Sequence, residues 1–295
     1  GNGVITKQEL IKILKANHMA THDREVMRKA DTIMAQADKD GDGVVDFDGN
    51  VTGDAVQVDG VSYTFPVGES ATVIVGDNTD GSALFTTACV YGGPTNLLDD
   101  CANVNAGITG GGATVGASYD FGSGFTAAFG YQGTNDSIAT EEGADSYAFN
   151  AAYTGDSYGI SVTTSVIDST TASGATDNEE DSYTAFNAYW APEGYPSISI
   201  GYEVGDIGGA ASTADEVESF FLGSSYEVGP GEVGVAMGHS NTTEGSEDAL
   251  RYEIYYSYPV NDGMTITPVL YTEELPSSAR DHATTGMLVK TSFSF

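Results

Sequence analysis

The sequence predicts an all-β protein, an antiparallel transmembrane β-barrel preceded by a short α-helical segment. Three observations predict this fold. Apolar and polar side chains alternate over stretches of about ten residues. Short connections between these stretches alternate with long ones, and the residues at the polar strand positions are mostly small. The chain of 295 residues contains no apolar stretch of roughly 18 residues that would form a membrane-spanning helix.

The C-terminal stretch "TGMLVKTSFSF" shows the alternation most clearly. Met287, Val289, Phe293 and Phe295 share one parity, whereas Lys290 lies on the other. Because successive side chains of a strand point to opposite faces, one face of this strand is apolar and ends in an aromatic ring.

Thirteen stretches have this pattern, so we predict thirteen strands. Short turns such as "VGES", "FGSG" and "VNDG" connect some of them, and long acidic connections such as "DSTTASGATDNEED" connect the others. The predicted strands are residues 58–67, 71–77, 111–121, 124–132, 145–154, 157–167, 181–190, 195–205, 217–228, 231–240, 249–259, 263–273 and 285–295. In an outer-membrane barrel, the short turns face the periplasm and the long loops face outside.

The composition of the two faces separates a membrane barrel from a β-sandwich, whose strands also alternate. The apolar parity of the strand cores carries no Asp, Glu, Lys or Arg, although it includes His239. A Lys or Arg that faces lipid at mid-bilayer costs about 2–4 kcal/mol. The other parity is dominated by Gly, Ser, Thr and Ala, which suit a crowded or water-filled lumen. Pro268 conflicts with its predicted mid-strand position, because proline cannot donate a ladder hydrogen bond.

Charge and periodicity change near residues 49 and 50, where we place a domain boundary. Residues 1–49 have nearly balanced charge, whereas residues 50–295 contain most of the acids and only three basic side chains. Apolar residues at three- and four-residue spacing, such as Ile11 and Leu14, predict helices in the first segment.

The helical segment contains the acidic stretch "DKDGDGVVDFDG", which resembles an EF-hand calcium loop. The candidate calcium ligands are Asp38, Asp40, Asp42, Val44 and Asp46. Position 12, normally a bidentate Glu, is Gly49, so calcium binding is expected to be weak. The opening "GNGVITKQE" resembles the second half of another such loop, and Ile5 would then face Val45 in a short β contact. The alternative is an acidic turn that binds no ion tightly.

Residues 50–295 resemble cyanobacterial outer-membrane porins of the carbohydrate-selective porin family. The stretches "YPSISIGYEVGD", "EIYYSYPVNDGMTITPVLYTEE" and "GMLVKTSFSF" resemble the C-terminal part of that barrel, and "VDGVSYTFPVGESATVIVG" resembles an earlier strand pair. The resemblance implies a homotrimeric channel of about sixteen strands that passes small hydrophilic solutes, ions or carbohydrates, across the outer membrane. It also implies that Phe295 is the terminal aromatic by which such barrels are recognised for insertion.

Two features depart from the family pattern. Thirteen strands is an odd number, whereas bacterial single-chain barrels use an even number, and the family's N-terminal wall-binding segment does not precede the strands. We therefore expect an incomplete barrel joined to a partial EF-hand pair, as an accidental junction of two reading frames would produce. A single uninterrupted transcript across codons 45–55 would contradict that hypothesis.

The predicted lumen suggests how solutes would be selected. The candidate pore-lining residues are Arg251, Glu253, Lys290, Glu203 and Asp120. With Arg251, Arg280 and Lys290 as the basic residues of this segment, we predict a preference for cations. A structural ion-pair ladder across neighbouring strands is the alternative role for Arg251, Glu253 and Lys290.

Two cysteines and four histidines complete the candidate functional residues. Cys89 and Cys101 are predicted to form a disulfide in the longest loop. It would act either as a simple staple, which we prefer, or as a clamp on a loop that folds towards the pore. The histidines have no nucleophile or metal-ligand spacing, so we expect neither an enzyme nor a required cofactor. The net charge of −33 opposes nucleic-acid binding. An acidic cell-surface structural or adhesion protein and a calcium-binding module are the alternative functions.

Overall fold

The computed structural model describes residues 4–6, 44–46, 60–95, 98–109, 112–133, 138, 144–169, 179–208, 216–243, 245–274 and 283–294. Several predictions lie outside these residues. They are the helices of residues 1–49, the positions of Asp38, Asp40 and Asp42, and the positions of Arg280 and Phe295. Within the described part of the chain, no helix has the length and apolar character needed to cross a membrane.

A two-stranded sheet lies at the start of the chain. It pairs β1 (Val4–Thr6) with β2 (Val44–Asp46) in antiparallel register, and Ile5 is opposite Val45. This is the pairing that the two-loop interpretation predicts.

The second sheet contains thirteen strands in sequence order, each antiparallel to its neighbours. The alternation of apolar and small polar residues defines them, and every predicted strand is present with ends within three residues of the prediction. The strands are β3 (Val61–Val67), β4 (Ala71–Asp77), β5 (Ala113–Gly122), β6 (Phe125–Gly133), β7 (Asp145–Thr154), β8 (Tyr158–Ser169), β9 (Glu179–Trp190), β10 (Ser197–Asp206), β11 (Glu216–Val228), β12 (Gly231–Thr243), β13 (Arg251–Asn261), β14 (Met264–Glu273) and β15 (Thr284–Phe293). Over the described residues the order is linear, with β3 and β15 at its two ends.

The two faces of the large sheet differ as the sequence predicts. On β10, Ile198, Ile200 and Tyr202 are exposed, whereas Ser199 and Glu203 between them are buried. We call the exposed apolar side the outer face and the opposite side the inner face. A β-sandwich would bury its apolar rows, so their exposure excludes that alternative and supports a barrel whose outer face meets lipid.

Pro268 is accommodated by an interruption of the ladder between β13 and β14. These strands pair Tyr255 with Val269 and resume at Tyr258 with Ile266, so the ladder is interrupted over two positions, one of them that of Pro268. On its other side, Pro268 is paired with Val289 of β15. The missing N–H therefore costs one local gap in pairing and leaves the strand intact.

Candidate functional site

The long connection between β4 and β5 lies against the inner face of the sheet. We call the described residues of this connection, 78–95, 98–109 and 112, the inner loop. Its first limb runs across the wall and donates alternate backbone N–H groups to wall side chains, from Thr86 to Asn150 Oδ1 at 3.0 Å and from Ala88 to Ser161 Oγ at 2.9 Å. Val90 continues this pattern with a bond to Ser199. The limb thus uses polar wall side chains where a neighbouring strand would otherwise supply carbonyl groups.

The returning limb is held by the buried carboxylate of Glu203 on β10. Backbone N–H groups of Asn105 and Ala106 each donate to its Oε2 at 2.8 Å, and the Asn105 side chain donates to Oε1 at 2.9 Å. Glu203 is 1% exposed, so these three donors replace the water that a buried carboxylate would lose. The carboxylate therefore fixes the loop to the wall.

The far end of the inner loop is held by Glu253 on β13. The Tyr91 hydroxyl donates to Glu253 Oε1 at 2.8 Å, and the Thr95 hydroxyl donates to Oε2. The Tyr91 ring packs against Phe221 and Tyr255, with centroid distances of 5.4 and 5.8 Å. Burial and the neighbouring Glu253 carboxylate raise the pKa of the Tyr91 hydroxyl above its ordinary value, so it keeps the proton that it donates.

A disulfide joins Cys89 on the first limb to Cys101 on the returning limb. The Cys101 carbonyl accepts a 2.7 Å hydrogen bond from Asn187 on β9, and both Cys101 and Ala102 are buried between the loop and the wall. The disulfide thus lies in a loop that is held against the inner face. Whether it is a simple staple or a clamp on that loop stays a prediction.

Opening the disulfide should loosen the inner loop without unfolding the wall. Closing a loop of about a dozen residues stabilises a fold by about 3 kcal/mol in the chain-entropy model. We expect reductant to increase current fluctuations of single channels, and the double variant Cys89→Ser with Cys101→Ser to show the same fluctuations without reductant. Identical currents before and after complete reduction would contradict this role.

The five predicted pore-lining residues have different surroundings. Glu203 and Glu253 lie on the predicted inner face but are covered by the inner loop, so they contact the loop instead of an aqueous path. Arg251 also faces inwards, and its Nε forms a 2.9 Å ion pair with Glu273 on the neighbouring strand. Lys290 is exposed at inner parity on β15.

Asp120 lies at the end of β5, next to a short turn. It is exposed, and its Oδ1 accepts a 2.7 Å hydrogen bond from the backbone N–H of Gly122. Its carboxylate therefore supports the turn, at the end of the barrel opposite the long loops.

A cavity of about 360 Å³ lies between the two limbs of the inner loop, and Asp99 and Asp100 line it. Burial raises the pKa of the Asp100 carboxyl above its ordinary value, and the neighbouring Asp99 acts in the same direction. Asp99 itself is exposed. The surface of the loop that faces this space is thus acidic.

Besides Glu203 and Glu253, two wall residues that the sequence analysis did not identify, Asn150 and Asn187, hold the inner loop. Asn150 and Asn187 are 3% exposed at inner positions of β7 and β9. An amide in mid-strand among small residues was the available signal, because a buried amide needs hydrogen-bond partners from outside its own strand. The partners themselves lie 64 and 86 residues away in the chain, which no local pattern reveals.

An antiparallel barrel with an apolar outer face and a long loop folded against its inner wall defines the class: the chain has a porin fold. Comparison with solved structures supports this class. A mutant of the Rh. blastica porin aligns with a TM-score of 0.59 and 15% identity over 84% of this chain and 81% of that chain. An anion-selective porin from Comamonas acidovorans aligns with a TM-score of 0.56 and 14% identity over 80% of this chain and 88% of that one. No protein-family model matches the chain, and no curated protein matches it.

Proposed function

We propose that the protein is an outer-membrane porin that allows passive diffusion of small hydrophilic solutes. The observation that carries the proposal is the inner loop, which is fixed to the inner wall at Glu203 and Glu253 while the outer face stays apolar. A loop held in this way narrows the lumen without adding a catalytic group, so its role is to set the size and charge of a passage.

The outer face supports a membrane location. Its exposed side chains include Met287 and Val289, at 73% and 57% exposure, and aromatic rings such as Tyr119, Phe121 and Trp190 at the short-turn ends of the strands. Aromatic rings near the ends of barrel strands are typical of the interface between the membrane and water. We infer that the short turns face the periplasm and the long loops face outside, and that the chain assembles as a homotrimer in the outer membrane.

Cation preference is the selectivity that the charges favour. Asp99 and Asp100 line the cavity beside the inner loop, and Arg251 is already paired with Glu273. The anion selectivity of the Comamonas porin belongs to that protein, and its 14% identity carries only the fold to this chain. Small ions are the solutes that we propose first, with carbohydrates as the finer proposal that the family resemblance suggests.

Reversal potentials across planar bilayers in a salt gradient test the charge preference. We expect a cation-selective potential that decreases towards zero near 1 M salt, where the Debye length is about 3 Å. The double variant Asp99→Asn with Asp100→Asn should reduce it, whereas Asp262→Asn, an exposed acid in a short turn, should not. An anion-selective potential would contradict the preference, and the lack of any conductance would contradict the channel.

A second candidate function is calcium binding by residues 1–49. We propose that these residues form a separate domain. The antiparallel pairing of Ile5 with Val45 favours it, because paired EF-hand loops contact each other through such a short β bridge. Equilibrium dialysis of the full chain against ⁴⁵Ca²⁺ tests the proposal. We expect Asp38→Asn with Asp40→Asn to remove one site, whereas unchanged binding would show that the loop holds no ion.

A further inference from the structure

A histidine and two carboxylates from three segments of the chain meet on the outer face, at the end that carries the long loops. Glu218 lies on β11, His239 on the adjacent β12, and Asp248 on the connection between β12 and β13. One ligand atom from each side chain lies within 4.8 Å of the other two. Glu218 and His239 have outer-face parity, whereas the inner loop lies against the opposite side of the sheet, so the cluster is separate from the pore.

A local irregularity in the sheet brings His239 to this position. The register between β11 and β12 shifts between Glu218 and Phe220, and His239 is opposite Phe220. Its ring lies 6.3 Å from the Phe220 ring and is only 7% exposed. A bulge of this kind redirects side chains at a sheet end. It places a buried imidazole beside two exposed carboxylates.

The histidine is oriented as metal-binding histidines are. One ring nitrogen, Nδ1, forms a 2.9 Å hydrogen bond with the hydroxyl of Thr242, three residues further along the strand. This bond fixes the ring, and in the tautomer in which Nδ1 donates to the hydroxyl, Nε2 carries the lone pair for a metal ion. The strand therefore holds the ring in one orientation and leaves Nε2 as the atom that could bind a metal ion.

Glu218 is oriented by a second hydrogen bond. The hydroxyl of Tyr202, on β10, donates to Glu218 Oε2 at 2.8 Å. The other carboxylate oxygen, Oε1, is then left to bind a metal ion. Tyr202, Glu218 and Asp248 also line a cavity of about 570 Å³ at the end of the strands. An ion bound here would be reached from the solvent at the long-loop end of the barrel.

The geometry points to a site for a divalent transition-metal ion of the Zn²⁺ type, held by His239, Glu218 and Asp248. The donor set selects this chemical class. Calcium and magnesium prefer six or more oxygen ligands, whereas imidazole nitrogen with two carboxylates suits Zn²⁺ and its neighbours. Three protein ligands leave a fourth position for water or for a group from another molecule.

Bound metal would have a structural effect at this end of the barrel. Asp248 belongs to the connection at residues 245–250, whereas Glu218 and His239 belong to the wall. One ion would therefore tie the connection to two strands of the sheet. The site is neither part of the proposed channel nor of the calcium loop in residues 1–49.

Zinc titration of the full chain in detergent tests the site. Metal-free protein is titrated with Zn²⁺ in competition with a chromophoric chelator. We expect His239→Gln and Asp248→Asn each to weaken the tightest site at least tenfold. Glu227→Gln is the matched control, because Glu227 is an exposed acid at the opposite end of the same strand as Glu218, and it should have no effect.

Three results distinguish a specific metal site at these side chains from general attraction of cations to an acidic protein. Tyr202→Phe retains the aromatic ring and should weaken Zn²⁺ binding several-fold, which keeps the test decisive if His239→Gln does not fold. A visible Co²⁺ spectrum that changes in His239→Gln would support a nitrogen ligand. Zn²⁺ affinity that is equal in the wild type and in His239→Gln, with both folded by heat-modifiable migration, would overturn the proposal.

Discussion

Replacing Glu253 by Gln is expected to release the far end of the inner loop and to raise the conductance and noise of single channels. Glu253 is 3% exposed, and two hydroxyl groups, from Tyr91 and Thr95, donate to its carboxylate. A hydrogen bond to a charged acceptor contributes about 1.5–3 kcal/mol. Gln keeps one acceptor oxygen, so losing one such bond should increase the released population about tenfold or more.

Two further variants show whether this effect belongs to the loop. Glu232→Gln is the matched control, because Glu232 also accepts a tyrosine hydroxyl, that of Tyr255 at 2.8 Å, but its bond stays within the wall. Tyr91→Phe removes only the hydroxyl and should reproduce the Glu253→Gln currents. Single-channel recordings make the comparison. If Glu253→Gln and Glu232→Gln give the same currents as the wild type, the carboxylate does not hold the loop.

Replacing Gly201 by Ala is expected to push the returning limb of the inner loop away from the wall. A Cβ at this position of β10 would lie far inside contact distance of the Cys101 backbone carbonyl. That carbonyl cannot move freely, because Asn187 donates to it and the disulfide holds its residue. Overpacking a fitted contact costs about 1–3 kcal/mol. We expect a lower temperature of heat-modifiable migration and an altered conductance.

Gly92→Ala is the control for this substitution. Gly92 belongs to the same loop, and an added Cβ there meets no heavy atom within 4 Å. It should therefore change neither migration nor conductance. Gly130→Ala tests the first limb in the same way, because its Cβ would collide with the Gly81 backbone. If Gly130→Ala and Gly201→Ala both have the migration and the conductance of the wild type, the loop is not packed against these glycines.

The strands and their faces were predictable because alternation is a local property of the sequence. On β10, the exposed Ile198, Ile200 and Tyr202 follow directly from a side-chain period of two. The same period puts Glu203 on the inner face, but it does not reveal that the residue is covered. Its partners, Asn105 and Ala106, lie about 98 residues earlier in the chain, and only the tertiary structure brings them together.

His239 also shows what the sequence pattern can predict and what it cannot. Its parity places it on the outer face, as an imidazole among the apolar side chains of the strand cores. The register shift opposite Phe220 brings Glu218 and Asp248 to the same place. A register shift depends on two strands together, so the pattern of either strand alone does not contain it.

The hydrogen bond from Tyr91 to Glu253 also bears on the order in which the protein assembles. The two residues are 162 positions apart. The segment that carries Tyr91 emerges before eleven of the thirteen strands of the sheet, yet its hydrogen bond to Glu253 requires β13. Contacts between residues so distant in sequence form slowly, because the intervening chain must first be ordered. The passage should therefore acquire its final width late, after the surrounding wall has been built.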